Sequence, residues 1–237
     1  MEAYKGNTLE SIQRSMEILS LHPKQVIVLK GTQKVCGLNG RSAGLQRRMI
    51  DKGQTRGFGQ YCRLLLAAKG GDSSVQRQLL ELGREADAHM AKTLADVADL
   101  PTAMEKITKK YTAAEKRILR TDAPYPEGMI DKIMDGILEL SLTMFVDHPS
   151  VKELPDLSEV PNKFIFRSAL CVYLLSLRWV SVGSPMKIRP DRIRNDIIDM
   201  NFAAFATYFD GLLTADKKLI SIHREANLVL HTMFLTK

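Results

Sequence analysis

The chain has 237 residues, of which 45% are hydrophobic and 26% charged, which excludes a disordered tail and allows a sizeable buried core. Its net charge of +7 favours a polyanionic partner, with nucleic acid first. Three scattered cysteines without CxxC spacing argue against a structural zinc site and indicate a reducing compartment, so we expect a cytoplasmic protein.

The first sixty residues predict one helix, one strand and a basic loop. Residues 8–20 have the pattern of a capped amphipathic helix, and the β-branched run 25–29 predicts a short buried strand. Residues 30–60 are rich in Gly, Lys and Arg but lack the residue order of a P-loop, so we expect a solvated basic loop there. The cations of this loop that are candidate nucleic-acid contacts are Lys30, Arg47 and Arg48.

The middle of the chain predicts helices over 73–98, 101–120 and 127–146, with a proline-containing loop at 122–128. We expect a single α/β domain over residues 1–237, with a large helical insertion or N-terminal helical part at about 70–120.

The longest apolar stretch covers residues 164–182. Arg167 and Arg178 interrupt it, which favours a buried helix over a membrane span. No membrane partner is therefore expected. The end of this stretch, 178–183, predicts a short strand.

The C-terminal part alternates between helical and strand patterns. Helices are predicted at 191–209 and 215–227, and strands at 210–214 and 228–234. A helix, strand, helix, strand order indicates right-handed βαβ connections and a short, mainly parallel sheet. The sequence therefore predicts an α/β fold.

Carboxylates stand at the start of the 191–209 helix and just after the 210–214 strand. Asp196 and Asp199 are three residues apart and share a helix face, and Asp216 follows the carboxyl end of the strand, where parallel sheets gather ligands. If the three converge, a hard cation such as Mg²⁺ or Mn²⁺ would hold them together and could activate water against a phosphodiester. The alternative is that each acid caps a helix.

The segment 195–216, NDIIDMNFAAFATYFDGLLTAD, resembles the C-terminal part of the PIN-like nuclease superfamily. The resemblance implies a three-layer α/β/α fold and a metal-dependent endonuclease, most often of RNA. Asp199 would match the family's helix acid and Asp216 the acid after the strand, with Asp196 a nearby extra acid. Thr214 would orient a carboxylate or the substrate through its hydroxyl, and the neighbouring Lys217 is a further candidate nucleic-acid contact.

Other family acids are harder to place. At the end of the family's first strand the chain carries Lys30 or Gly31 rather than an acid, so either residues 25–29 are not that strand, or the enzyme is degenerate, or this position has been altered. Further candidate acids are Asp131, Asp135 and Glu139 on the 127–146 helix, and Asp210.

Two other functions stay open from the sequence. Arg84 and His89 have the spacing of a metal-independent ribonuclease motif, with His as acid or base and Arg on phosphate. The basic segments could also form a non-catalytic module that binds nucleic acid or protein. A homo-oligomer or a protein partner is compatible with either.

Overall fold

The computed structural model describes residues 9–40, 44–96, 100–121, 124–182 and 189–234, whose regular structure is helical. The sole extended pairing in these ranges is an isolated antiparallel bridge between Leu29 and Ile50. The expected α/β fold, with a parallel sheet between helical layers, is therefore wrong. The helices are α1 (Leu9–Leu21), α2 (Thr32–Cys36), α3 (Leu45–Met49), α4 (Lys52–Lys69), α5 (Ser73–Asp96), α6 (Leu100–Lys110), α7 (Ala113–Ile118), α8 (Glu127–Asp147), α9 (Phe164–Val182), α10 (Pro190–Ala206) and α11 (Lys217–Phe234).

The chain divides into two compact units. The first consists of residues 1–30 and 49–96, and the second of residues 31–48 and 97–237. In the first unit, α1, α4 and α5 pack on one another because each has an apolar face. The buried residues at their junction are Ile12, Leu65, Ala68 and Leu79.

An extended segment, residues 26–29, lies beside the start of α4 in the first unit. Its Val28 N–H donates to the Thr55 hydroxyl at 3.0 Å, and its Val28 carbonyl accepts from the Asp51 N–H at 2.8 Å. The sequence predicts a buried strand at 25–29. Instead the segment is extended with a single bridge, and Ile27 is 61% exposed.

The second unit is built around α9. This helix is apolar on every side, so it is stable only when neighbouring helices cover it. Its neighbours in this unit include α8, α10 and α11. Within the described residues, the stretch Phe164–Ser181 of α9 is the one helix long and apolar enough to cross a membrane, and 89% of it is buried inside the unit.

Three predicted strands are wrong for identifiable reasons. Residues 178–182 continue α9, and 228–234 belong to α11, whose Ile222, Ala226 and Leu230 recur every four residues and bury one helix face. Short apolar runs fit strands and helices equally well by pattern alone. Residues 210–214 form no regular structure, and Leu213 is fully exposed, so this run is not a buried strand.

The structure also differs from the prediction at α4. The sequence predicts a basic loop over residues 30–60, yet Lys52–Lys69 is a continuous helix that begins inside this range. The predicted helices over 8–20, 73–98 and 127–146 are confirmed by α1, α5 and α8 over the residues that the structure describes, and residues 8, 97 and 98 lie outside them.

Candidate nucleic-acid interface

Asp196, a predicted metal ligand, is a buried side chain on α10 and only 5% exposed. One carboxylate oxygen pairs with the Lys218 ammonium of α11, and the other accepts a 3.3 Å hydrogen bond from the Trp179 indole of α9. Both oxygens therefore have a protein partner. The ion pair joins α10 to α11 and the hydrogen bond adds α9, so the carboxylate has a structural role in the second unit.

Asp216 is the N-cap residue of α11. Its Oδ1 accepts hydrogen bonds from the backbone N–H groups of Lys218 at 2.7 Å and Leu219 at 3.1 Å. The Thr214 hydroxyl accepts from the Asp216 N–H at 3.1 Å and so shapes the turn that enters the helix. Lys218 bonds both acids, Asp196 through its side-chain ammonium and Asp216 through its backbone N–H, so the shared residue does not by itself bring the two carboxylates together.

The remaining predicted acids are spread over the second unit. Asp199 is half-buried one turn after Asp196, Asp210 is exposed after the end of α10, and Asp131 and Asp135 are exposed on α8. Across the described residues, no three His, Cys, Asp or Glu side chains group closely enough to hold a metal ion. As these acids are placed, with Asp196 neutralised by Lys218, the donor set does not fit Mg²⁺ or Mn²⁺.

The remaining candidate residues are those of the metal-independent motif and the predicted nucleic-acid contacts. Arg84 is exposed on α5, whereas the His89 side chain lies outside the described part of the chain. The Arg48 guanidinium donates to the Asn39 carbonyl at 3.2 Å. The predicted nucleic-acid contacts fall in both units: Lys30 in the first, and Arg47, Arg48 and Lys217 in the second.

A more concentrated group of positively charged side chains lies along α4. The helix begins after Asp51, whose carboxylate accepts from the Gln54 N–H at 2.9 Å. Its apolar residues recur three and four apart and bury one face, namely Phe58, Cys62 and Leu65. Each residue turns an α-helix by about 100°, so the opposite face carries Lys52, Arg56 and Arg63, all exposed. We call these three side chains the α4 basic face.

Within the described residues, no ion pair joins Lys52, Arg56 or Arg63 to a carboxylate. The Arg56 Nε donates to the Lys52 carbonyl at 3.2 Å, which holds that guanidinium along the helix. α4 itself contains four Lys and Arg residues and no acid. Surface helices more often mix both signs, so this face presents an unusually uniform positive field.

The surrounding sequence has the same bias. Residues 24–69 contain ten Lys and Arg residues and one acid, Asp51, so they carry more than the whole positive excess of the chain. The sequence interpretation placed cations here but missed the helix that aligns them. The apolar spacing of 58, 62 and 65 was the signal that could have revealed it. Gly53, Gly57 and Gly59 obscured that signal, because glycine disfavours a helix interior.

The α4 basic face is long enough to meet several phosphates. Lys52 and Arg63 are eleven positions apart, which is roughly 16 Å along a helix at about 1.5 Å per residue. One strand of a duplex places about five phosphates along that length, at about 3.4 Å each. The arrangement can therefore bind a polyanion without any catalytic group.

No protein-family model, curated protein or solved structure matches the chain.

Proposed function

We propose that the protein binds nucleic acid electrostatically through the α4 basic face. The observation that carries the proposal is a helix with three aligned, exposed cations that lack carboxylate partners among the described residues. A nucleic-acid backbone supplies the missing negative charge at regular spacing, and binding gains free energy from the counterions it releases. RNA is favoured over DNA on the short PIN-like resemblance alone, so the test compares both.

The test is the salt dependence of binding to fluorescently labelled RNA and DNA strands. Each phosphate neutralised on a single strand contributes about −0.7 to the slope of log affinity against log salt. We expect the Lys52→Gln/Arg56→Gln/Arg63→Gln variant to bind more weakly at low salt, with a slope reduced by about 2 because three contacts are lost.

A matched control separates a local contact from net charge. Arg77, Lys106 and Arg224 are exposed cations outside residues 24–69. Arg77→Gln/Lys106→Gln/Arg224→Gln removes the same charge but should leave the slope nearly unchanged. An equal loss in both variants would contradict a dedicated α4 interface, and the absence of binding by the unaltered protein at low salt would refute the proposal.

A metal-dependent endonuclease is the second candidate, because Lys218 bonds Asp196 through its ammonium and Asp216 through its backbone N–H, which places both acids near the start of α11. It stays a prediction, since the acids as placed do not fit a divalent ion. Cleavage of the same labelled RNA with Mn²⁺, abolished by EDTA and by Asp199→Asn or Asp216→Asn, would support it. Cleavage that persists in EDTA and in both variants would contradict it, and cleavage lost only in Arg84→Ala or His89→Ala would favour the metal-independent motif.

A further inference from the structure

The first unit contains an apolar cleft of about 700 Å³ beside the α4 basic face. Its walls come from α1, from the extended segment 26–29 and from α4. We call it the apolar cleft, and its aliphatic and aromatic lining includes Leu19, Ile27, Leu29, Phe58 and Tyr61. Ile27 and Leu19 are 61% and 43% exposed, so these walls are open to a ligand from outside. A cleft of this size is in the range of small-ligand sites.

One helix contributes both the cleft wall and the cations. Gln54, Gly57 and Phe58 line the cleft, while Arg56 lies between them in sequence and projects from the basic face. Gly57 lies between the cations and the cleft. A Cβ at this position would meet no atom within 4 Å. The fold itself does not require a glycine at this position, and the open space beside Gly57 is the path by which we expect a bound strand to reach the cleft from the cations.

From this juxtaposition we infer that the apolar cleft accepts an unpaired base of a single-stranded nucleic acid whose phosphates lie on the α4 basic face. The inference rests on the proposed function and names its ligand class. A base is flat and apolar on its faces, which suits aliphatic and aromatic walls. The exposed Gln54 amide at the rim offers both a donor and an acceptor to the polar edge of a base.

Charge complementarity favours this occupant over an apolar peptide, because the cations beside the cleft attract a negatively charged ligand. A duplex also satisfies the cations, but its bases are paired and stacked inside the helix. The cleft therefore predicts a preference for single strands that the basic face alone would not produce.

The first experiment measures binding of the full chain to three labelled RNAs of equal length at one salt concentration: a single strand, the same strand with abasic sites, and a duplex. We expect the base-bearing single strand to bind about tenfold more tightly than the abasic strand, in the range that base stacking contributes. Equal affinity for the abasic and base-bearing strands would overturn the inference while leaving the α4 basic face in place. Failure of all three RNAs to bind would instead overturn the proposed function.

The second experiment places a larger side chain at Gly57 to block the path between the cations and the cleft. Gly57→Leu adds a side chain where the fold leaves open space, so we expect an unchanged or raised melting temperature. Binding of the base-bearing strand should fall to the level of the abasic strand, and duplex binding should stay within twofold. Gly128→Leu is the matched control, since that α8 glycine is also open and lies in the second unit.

If Gly57→Leu lowers the melting temperature, Ile27→Ser replaces it, because that side chain is largely exposed and lines the cleft. It should reduce the preference for the base-bearing strand at least threefold. A preference that survives in a folded Gly57→Leu or Ile27→Ser protein would overturn the inference.

Discussion

At the residue scale, Gly136 is required by the close approach of α8 to α9. A methyl group at this position would lie 2.6 Å from Cε2 of Tyr173 and closer still to Cζ and the hydroxyl oxygen. The Tyr173 ring cannot easily move, because its hydroxyl is hydrogen-bonded to that of Tyr111 at 3.0 Å inside the unit. We expect Gly136→Ala to lower the free energy of unfolding by about 3 kcal/mol, the upper end of overpacking costs, measured by chemical denaturation.

Gly128 is the control on the same helix, because a Cβ there meets nothing within 4 Å. Gly128→Ala should leave stability unchanged or raise it by about 0.5 kcal/mol. Equal stabilities of the two variants would show that the Tyr173 ring yields to the added methyl group.

The ion pair of Asp196 and Lys218 gives a second residue-scale prediction. Lys218→Met would leave a 5% exposed carboxylate with only the Trp179 indole as partner, and removing one member of a buried pair costs roughly 3–5 kcal/mol. We expect a loss at the lower end, about 3 kcal/mol, because the Lys218 side chain is 27% exposed. Unfolding can be followed by the fluorescence of Trp179, the chain's one tryptophan.

The Asp196→Asn/Lys218→Met double variant should recover most of this loss, because asparagine is neutral and still accepts the bond from Trp179. A double variant as unstable as the single one would mean that the lysine contributes through packing rather than through its charge.

At the element scale, Glu115 links α7 to α8. Its carboxylate pairs with Lys132 of α8 at 2.5 Å and accepts from the Thr112 N–H in the capping box that begins α7. The hydrogen bonds from the Lys132 ammonium and from the Thr112 N–H lower the pKa of Glu115 from 4.5 to about 2. A lowered folded-state pKa stabilises the protein above pH 4.5, and this contribution is lost as the pH falls toward 2.

Glu115→Gln isolates the charge, because a glutamine oxygen can keep the bond to the Thr112 N–H. We expect the unaltered protein to be more stable than the variant at neutral pH, with the difference shrinking as the pH falls from 4.5 to about 2. Lys132→Gln should reduce the same pH dependence, with the part that remains coming from the bond to the Thr112 N–H. A stability difference that stays constant across this range would contradict the link between α7 and α8.

At the scale of the whole molecule, the fold itself is testable. The described residues are helical apart from turns, loops and the bridge at Leu29, so we expect the far-ultraviolet circular dichroism of a predominantly helical protein. A spectrum with a substantial β-sheet component would contradict the helical fold.

Local patterns predicted α1, α5 and α8 well but missed α4. The apolar period of α1, α5 and α8 is sustained over several turns, and Pro and Gly residues mark the loops between them. The capping alternative for Asp216 was likewise visible in the sequence, because an Asp before a helical run is a common N-cap. Its bonds to Lys218 and Leu219 have this form.

Partners across the fold could not be predicted in the same way. Asp196 lies in the first half of a helix with a good metal-ligand pattern, yet its charge is neutralised by a lysine twenty-two positions later. Whether two distant charges meet depends on how helices pack, which no local spacing specifies. The structure of the C-terminal run 228–234 could not be predicted for the same reason. Its pattern fits a strand as well as a helix, and it forms a helix because α9 covers the apolar face of α11.

The sequence by itself determined the helical periodicity of the long segments, the excess of positive charge over residues 24–69 and the burial of α9, because these depend on residue type and spacing along the chain. Only the tertiary structure decided that the C-terminal apolar runs are helical or exposed, that Asp196 pairs with Lys218, and that three cations align opposite the buried face of α4. These outcomes depend on which faces are covered by neighbouring helices, and burial is a property of the packed chain.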